Sequence, residues 1–204
     1  MIWIIILCLL GIASILLSQY KSKIKGISGE KRVSSILGRL DDSKYKVLND
    51  ILLNVEDKSV QIDHIIVSVY GIFVIETKNY AGCIYGDGNR DKWIQYIGKQ
   101  KNYFQNPMRQ NYGHYKAIMK LLGLKNSDLI KSVVVFVGSA NLKITNANNV
   151  TIRRLLYDYI TYYQTEIIDI NTVNKYVEII SQANITSEEE RMKHIEAINR
   201  RFNR

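Results

Sequence analysis

Residues 61–78 read QIDHIIVSVYGIFVIETK, and this stretch decides the fold. It is typical of two buried β-strands joined by a tight turn, because apolar residues run almost without interruption on both sides of one glycine. Three ionisable side chains, Asp63, Glu76 and Lys78, interrupt these apolar runs. A charge inside a sheet is costly unless it is paired or binds a metal. The hairpin is therefore the first place to look for a functional site.

The register of the hairpin decides whether the three ionisable side chains meet. We predict a two-residue turn at Tyr70-Gly71, which sets Asp63 opposite Lys78. Glu76 then becomes a diagonal neighbour of Asp63, with α-carbons within roughly 8 Å. All three side chains share one face, because side chains alternate along a strand. A turn longer by one residue, without a bulge, would separate them.

Two carboxylates this close repel each other unless a cation lies between them. A hard cation such as magnesium suits Asp63 and Glu76, and the backbone carbonyl between Glu76 and Lys78 offers a third oxygen. A lysine beside such a metal can orient or help deprotonate an attacking water and neutralise charge on a phosphate. The spacing alone leaves a second interpretation open, in which Asp63 and Lys78 form a salt bridge and Glu76 faces solvent.

The remaining patterns predict a domain that contains both β-strands and α-helices. An amphipathic helix is expected to start near Ser28, and another follows Pro107, the only proline. Residues 132–138, SVVVFVG, are a β-branched run typical of a central strand covered on both faces. Further strands are predicted over 45–53 and 93–96, with short edge strands over 142–144 and 150–152. Helical spacing returns after residue 151 and continues to the C-terminus.

The N-terminus is apolar from Ile2 to Leu17, and its first charged residue is Lys21. This length is at the short end of a membrane-spanning helix. Because the basic residues follow the apolar run, we predict an uncleaved anchor over residues 1–20 rather than a signal peptide. The positive-inside rule then predicts a single-pass protein of the cell membrane with its soluble domain in the cytoplasm. A buried N-terminal helix is the alternative.

All 28 Lys and Arg residues and all 19 Asp and Glu residues follow Tyr20, so the net charge of +9 belongs to the soluble part. A polyanion, either nucleic acid or anionic lipid, is the expected partner. Basic and aromatic residues interleave between residues 92 and 116, as in a groove that follows a nucleic-acid strand, although a solvated face with core aromatics explains this band equally well. Cys8 and Cys83 lie in different segments, which argues against a disulfide framework.

Two histidines lie near the candidate site in the sequence. His64 adjoins Asp63, but strand alternation turns it to the opposite face, so we predict a histidine that faces the core or a helix. His114 lies four residues after Gln110 on the predicted helix and shares its face. It is expected either to cap or pack, or to reach the site.

Several separated motifs, in this order, resemble the nuclease-related domain (NERD) family. They are Gly29-Glu30, Gln61-Ile62-Asp63-His64, Gly71-Ile72-Phe73-Val74-Ile75-Glu76-Thr77-Lys78-Asn79-Tyr80 with Gly82, Trp93, and Asn106-Pro107 followed by Gln110. The resemblance runs from about Gly26 to Leu122 and continues more weakly to Val137. It implies the restriction-endonuclease-like α/β fold of the PD-(D/E)xK superfamily, a mixed central sheet flanked by helices. We therefore predict a NERD domain over 21–150, followed by the helical extension over 151–204 that the spacing indicates.

The resemblance also implies a metal-dependent phosphodiesterase centre that uses Mg²⁺ or Mn²⁺. Asp63 and Glu76 correspond to its two metal-binding acids, and Lys78 corresponds to its lysine. Glu30 matches an acid that points towards the metal site in such folds. Gln110 matches a glutamine that lies beside the centre in related nucleases.

The main hypothesis is a membrane-anchored, metal-dependent nuclease that hydrolyses phosphodiester bonds in DNA, with RNA as the alternative substrate. The rival is a non-catalytic nucleic-acid-binding or adaptor module at the membrane, whose helical tail recruits a protein partner or a second copy. A third hypothesis is a structural membrane protein with a buried Asp63–Lys78 ion pair. Metal binding and the effect of Glu76→Ala on cleavage separate the three.

Overall fold

The computed structural model describes residues 2–56, 58–125 and 127–202. Its helices are α1 (Ile2–Leu37), α2 (Pro107–Leu121), α3 (Leu156–Thr161), α4 (Ile170–Ala183) and α5 (Glu188–Phe202). Its strands are β1 (Tyr45–Val55), β2 (Lys58–Ser68), β3 (Gly71–Lys78), β4 (Gly82–Asp87), β5 (Lys92–Ile97), β6 (Gln100–Gln105), β7 (Ile130–Phe136), β8 (Ala140–Thr145) and β9 (Val150–Ile152). Short 3₁₀ turns occupy Ser127–Leu129 and Arg153–Leu155.

The strands form two mixed sheets. The larger has the order β1-β2-β3-β7-β9, in which β1, β2 and β3 are antiparallel neighbours while β7 and β9 continue parallel to β3. The smaller has the order β6-β5-β4-β8, and only its β4–β8 pair is parallel. The α/β class, the central position of β7 and the edge positions of β8 and β9 are confirmed. The larger sheet is mixed, as predicted for the central sheet, but β4, β5, β6 and β8 pair in a second sheet that the sequence did not predict.

The turn of the central hairpin lies at Val69-Tyr70, so the predicted register is wrong by two residues. Ser68 pairs with Gly71. The Ser68 hydroxyl donates to the Gly71 carbonyl at 2.8 Å and accepts from the backbone N–H of Tyr70 at 3.2 Å. Gly71 has a φ of +118°, and a Cβ there would lie 2.9 Å from the Leu129 carbonyl oxygen. Glycine is therefore required where β3 begins rather than within the turn.

Helix α1 is continuous from Ile2 to Leu37, so the predicted start near Ser28 is wrong. Ser28 and Glu30 lie inside the helix, not in its first turn. Gly29 lets α1 approach the end of β3, since a Cβ there would be 2.8 Å from Cβ of Asn79. The Asn79 side chain donates to the Lys25 carbonyl at 2.7 Å. This close contact holds Glu30 beside the end of the hairpin.

Within the described residues, no helix combines the length and the apolar composition needed to cross a membrane. The predicted anchor, residues 1–20, falls mostly on residues whose side chains lie outside the described part of the chain. It stays a prediction.

Helix α2 begins at Pro107, as predicted, and Asn106 caps it. The Asn106 side-chain oxygen accepts from the backbone N–H of Met108 at 2.9 Å, and its amide nitrogen donates to the carbonyl of Arg90 at 2.7 Å. One turn later, buried Asn111 donates to the carbonyls of Val74 and Val133 at 2.8 and 3.0 Å. These bonds fix α2 across β3 and β7 and so set the rotation of its other side chains.

The main core lies around the larger sheet, where Ile65, Phe73 and Val133 are fully buried. Side chains of α3 and α4 pack into this same core, including Ile160 and Val173. The smaller sheet packs through a second cluster in which the rings of Trp93 and Phe136 stack at 6.3 Å. Both clusters leave the ends of β2 and β3 accessible to α1 and α2.

Candidate functional site

The observed register brings Asp63 and Glu76 together. His64 pairs with Ile75, so the next position along each strand sets Asp63 directly opposite Glu76, not opposite Lys78 as predicted. The shift of two residues preserves alternation, and both carboxylates stay on one face. The backbone N–H of Thr77 donates to Oδ2 of Asp63 at 2.7 Å. The two carboxylates are thus closer neighbours than the predicted register implied.

Lys78 and Gln110 complete the arrangement. Nζ of Lys78 lies 2.7 Å from Oε1 of Glu76 and donates to Oε1 of Gln110 at 3.0 Å. Glu76 is only 2% exposed. The alternative with an Asp63–Lys78 salt bridge and a solvent-facing Glu76 is therefore wrong, because Lys78 pairs with a buried Glu76. The structure brings Asp63, Glu76, Lys78 and Gln110 into one cluster.

Burial and neighbouring charges shift the pKa values of three side chains at this site. Burial, and then the nearby Glu76 carboxylate, raise the pKa of Asp63 well above its usual value, although the Thr77 N–H opposes this. Burial, Asp50 and Glu76 raise the pKa of Glu30 in the same way. Burial alone would lower the pKa of Lys78, but the Glu76 carboxylate outweighs it and the net shift is upward. The surroundings therefore disfavour the charged forms of Asp63 and Glu30, whereas Glu76 favours the charged form of Lys78.

His114, on α2, also reaches the centre. Its Nδ1 lies 3.4 Å from Oε2 of Glu76, and its side chain is mostly buried. Burial lowers the pKa of His114, although the Glu76 carboxylate acts in the opposite direction. His114 therefore contacts the cluster as a mainly neutral ring. Of the two alternatives, a capping or packing role and a side chain that reaches the site, the structure supports the second.

The donor set fits a divalent cation held by two carboxylates. Asp63 and Glu76 offer oxygens of the type that Mg²⁺ and Mn²⁺ prefer. Oε2 of Glu76 is buried and makes no hydrogen bond within the described structure, and an oxygen of this kind can take a cation. Among the described residues, however, no group of three or more His, Cys, Asp or Glu side chains is arranged to hold a metal. A cation here would complete its shell with backbone oxygen, water or substrate.

A cleft of about 1050 Å³ opens beside this centre. Asp63, Gln110 and His114 line one part of it, and Lys116 lies further along α2. Because the cleft reaches the surface, a polymer can approach the carboxylates without unfolding the chain.

The profile of the nuclease-related domain family matches residues 25–137, more than half of the chain, and this range contains every residue of the cluster. The chain belongs to the nuclease-related domain family. An uncharacterized protein of Bacillus anthracis is 34% identical to this NERD chain over 189 residues, which cover 90% of the chain and 88% of that protein. No solved structure matches it significantly.

Sequence reasoning missed two features of the NERD site. The first is Asn111, which fixes α2 to β3 and β7. Asn111 lies four positions before Tyr115 on the apolar face of its helix, and a polar residue at such a position could have indicated a structural role. The second is the hydrogen bond from the Thr77 N–H to Asp63. No sequence pattern predicts this bond, because it depends on the position of the turn.

The predicted band of basic and aromatic residues divides into two parts. Trp93 and Phe104 pack in the second core cluster. Lys101 and Tyr103 are exposed on the smaller sheet, with Nζ of Lys101 lying 4.9 Å from the centre of the Tyr103 ring. The band is therefore part core and part solvated face, rather than one continuous groove.

His64 faces the core and α1, as predicted. Its Nδ1 lies 2.7 Å from Oδ1 of Asn49, which in turn accepts from Ser34 of α1. The ring is 1% exposed, and burial lowers its pKa to about 4. His64 is thus neutral in the folded NERD domain at every pH above that value.

We expect this histidine to make stability depend on pH. The unfolded chain binds a proton at His64 near pH 6.5, whereas the folded chain does so only near pH 4. The stability that comes from keeping His64 neutral is fully present above pH 6.5. It is lost as pH falls to 4, which lowers the free energy of unfolding by about 3 kcal/mol. Urea unfolding of wild type and of His64→Gln between pH 6.5 and pH 4 measures this loss of stability. A variant whose free energy of unfolding falls as steeply as that of wild type would contradict the assignment.

Proposed function

We propose that the protein is a divalent-metal-dependent nuclease that hydrolyses phosphodiester bonds in DNA, with RNA as the alternative substrate. The observation that carries the proposal is the pairing of Asp63, at the side of an open cleft, with the buried Glu76, while Lys78 is bound between Glu76 and Gln110. Membership of a nuclease-related family supports it. We also infer that the larger sheet is the counterpart of a restriction-endonuclease core.

In this mechanism the carboxylates of Asp63 and Glu76 would hold Mg²⁺ or Mn²⁺. When bound, the metal ion lowers the pKa of water and offsets negative charge on the phosphate. Lys78 orients the attacking water and places a positive charge beside the scissile phosphate, and Glu76 and Gln110 hold its ammonium group in place. Glu30 adds negative charge from α1, which strengthens the attraction of the site for a cation. Each role uses a contact or a charge described above.

We further propose that residues 1–20 anchor the domain in the cell membrane, with the soluble part in the cytoplasm. The support is the apolar run from Ile2 to Leu17, which precedes Lys21 on the same continuous helix. The nuclease would then act on nucleic acid close to the membrane.

The test is cleavage of labelled single- and double-stranded DNA and RNA by the purified full-length chain. We expect cleavage of at least one substrate with Mg²⁺ or Mn²⁺, and none with EDTA. Cleavage that persists in EDTA, or no cleavage of any substrate with either metal, would contradict the proposal.

A second candidate is a nucleic-acid-binding module without catalysis. It is favoured by one observation: Nζ of Lys78 already has two protein partners, Oε1 of Glu76 and Oε1 of Gln110. This function predicts salt-sensitive binding that survives both EDTA and Glu76→Ala. The cleavage assay separates it from the nuclease.

A further inference from the structure

A second groove, of about 670 Å³, lies beside α1, on the side where Arg153 and Arg154 follow β9. It shares no lining residue with the cleft beside α2. Five exposed cationic side chains line it, and its lining includes no Asp or Glu. These five, which we call the basic groove residues, are Lys31, Arg32, Arg39, Arg153 and Arg154.

The basic groove residues lack counter-charges. Within the described part of the chain, none of the five takes part in an ion pair, although exposed cations elsewhere do, such as Arg109 with Asp91 and Lys193 with Glu189. The guanidinium of Arg39 lies over the Tyr157 ring at 4.8 Å, which holds it at the groove. Like charges gathered in a concave surface repel one another and raise the local concentration of anions. The groove therefore favours an anionic ligand.

The five cationic side chains are spread along the groove and do not cluster at one position. Lys31 lies six residues before Leu37, the last residue of α1, which is about 9 Å at the rise of an α-helix, and Arg39 lies in the turn that follows. Arg153 and Arg154 line the same groove from the 3₁₀ turn after β9. A row of this length can contact several successive phosphates, whereas a single phosphate would meet only part of it.

We propose that the basic groove residues bind the sugar–phosphate backbone of DNA at a site separate from the catalytic cleft. The choice of DNA rests on the proposed function, while the need for a polyanion rests on the groove itself. A membrane surface fits less well, because Lys31 lies about 16 Å beyond Tyr20 along α1 and Arg39 lies past the far end of that helix. A bilayer around residues 1–20 would meet at most the near end of the row. The groove supplies affinity and orientation but no base recognition.

Binding of labelled double-stranded DNA to the full-length chain in EDTA tests the proposal without any contribution from cleavage. The groove variant is Arg153→Gln with Arg154→Gln. The control, Lys143→Gln with Lys175→Gln, removes the same charge from exposed lysines outside the groove. In the groove variant we expect Kd to rise by about tenfold or more and the slope of log K against log salt to fall by about 2. The control should keep the wild-type slope within error.

A groove variant that binds DNA as the control does would overturn the proposal. So would a groove variant that keeps DNA binding but loses a wild-type preference for phosphatidylserine over phosphatidylcholine vesicles, which would assign the groove to lipid. The nuclease proposal and the groove proposal can be refuted independently of each other. A chain that binds DNA through the groove but cleaves nothing refutes the nuclease alone, whereas a chain that cleaves DNA while groove variant and control bind alike refutes the groove alone.

Discussion

Asp63→Asn is expected to abolish metal-dependent cleavage without weakening the fold. Burial and Glu76 raise the pKa of Asp63, so without a metal the charged form of this carboxyl group is disfavoured relative to an exposed aspartate. Asparagine has nearly the same shape and no charge, and its side-chain oxygen can still accept from the Thr77 N–H. It is, however, a much poorer ligand for a divalent cation. Loss of several kcal/mol of metal-derived stabilisation slows cleavage by about a thousandfold or more.

The rate comparison needs its own stability control. Urea unfolding of Asp63→Asn in EDTA should give a free energy of unfolding equal to or above that of wild type, since the variant removes carboxylate repulsion at a buried site. A variant that is as stable as wild type and cleaves at the wild-type rate would show that Asp63 takes no part in the chemistry.

The second large effect is expected at the Glu76–Lys78 pair, in stability rather than in rate. Lys78→Met leaves the Glu76 carboxylate buried without its cation, which typically costs about 3–5 kcal/mol. Glu76→Gln with Lys78→Met removes both charges and should restore most of that loss. Urea unfolding of wild type, both single variants and the double variant in EDTA gives the coupling free energy between the two side chains.

An exposed ion pair supplies the matched comparison. Lys193→Met breaks the pair with Glu189 on the surface of α5, where the expected cost is below about 1 kcal/mol. If Lys78→Met lowers the free energy of unfolding no more than Lys193→Met does, the buried Glu76 carboxylate does not depend on Lys78 for its counter-charge. The position of Lys78 must then have another cause.

The shared face of Asp63, Glu76 and Lys78 could be predicted from sequence because alternation along a strand survives any even shift of register. The turn itself could not. Its position depends on the Ser68 hydroxyl and on the carbonyl of Leu129, which lies in a distant segment and leaves no room for a side chain at Gly71. Local turn patterns contain no information about such contacts.

The same distinction explains the helices. The start of α2 was predictable because Asn106 and Pro107 act within one turn. The contact between His114 and Glu76 was not, because the rotation of α2 follows from the bonds of Asn111 to two strands that are distant in sequence. For α1, Ser28 resembles a helix cap, but the chain before it is also helical, so a local signal gave the wrong start.

Manganese binding tests the central claim most directly. Calorimetric titration of Mn²⁺ into wild type and into Asp63→Asn with Glu76→Gln, at matched pH and with circular dichroism to confirm folding, asks whether these two carboxylates hold the metal. We predict saturable binding to wild type and its loss in the folded double variant. Equal binding by both proteins, or nucleic-acid cleavage by a wild-type chain that binds no divalent ion, would contradict the account.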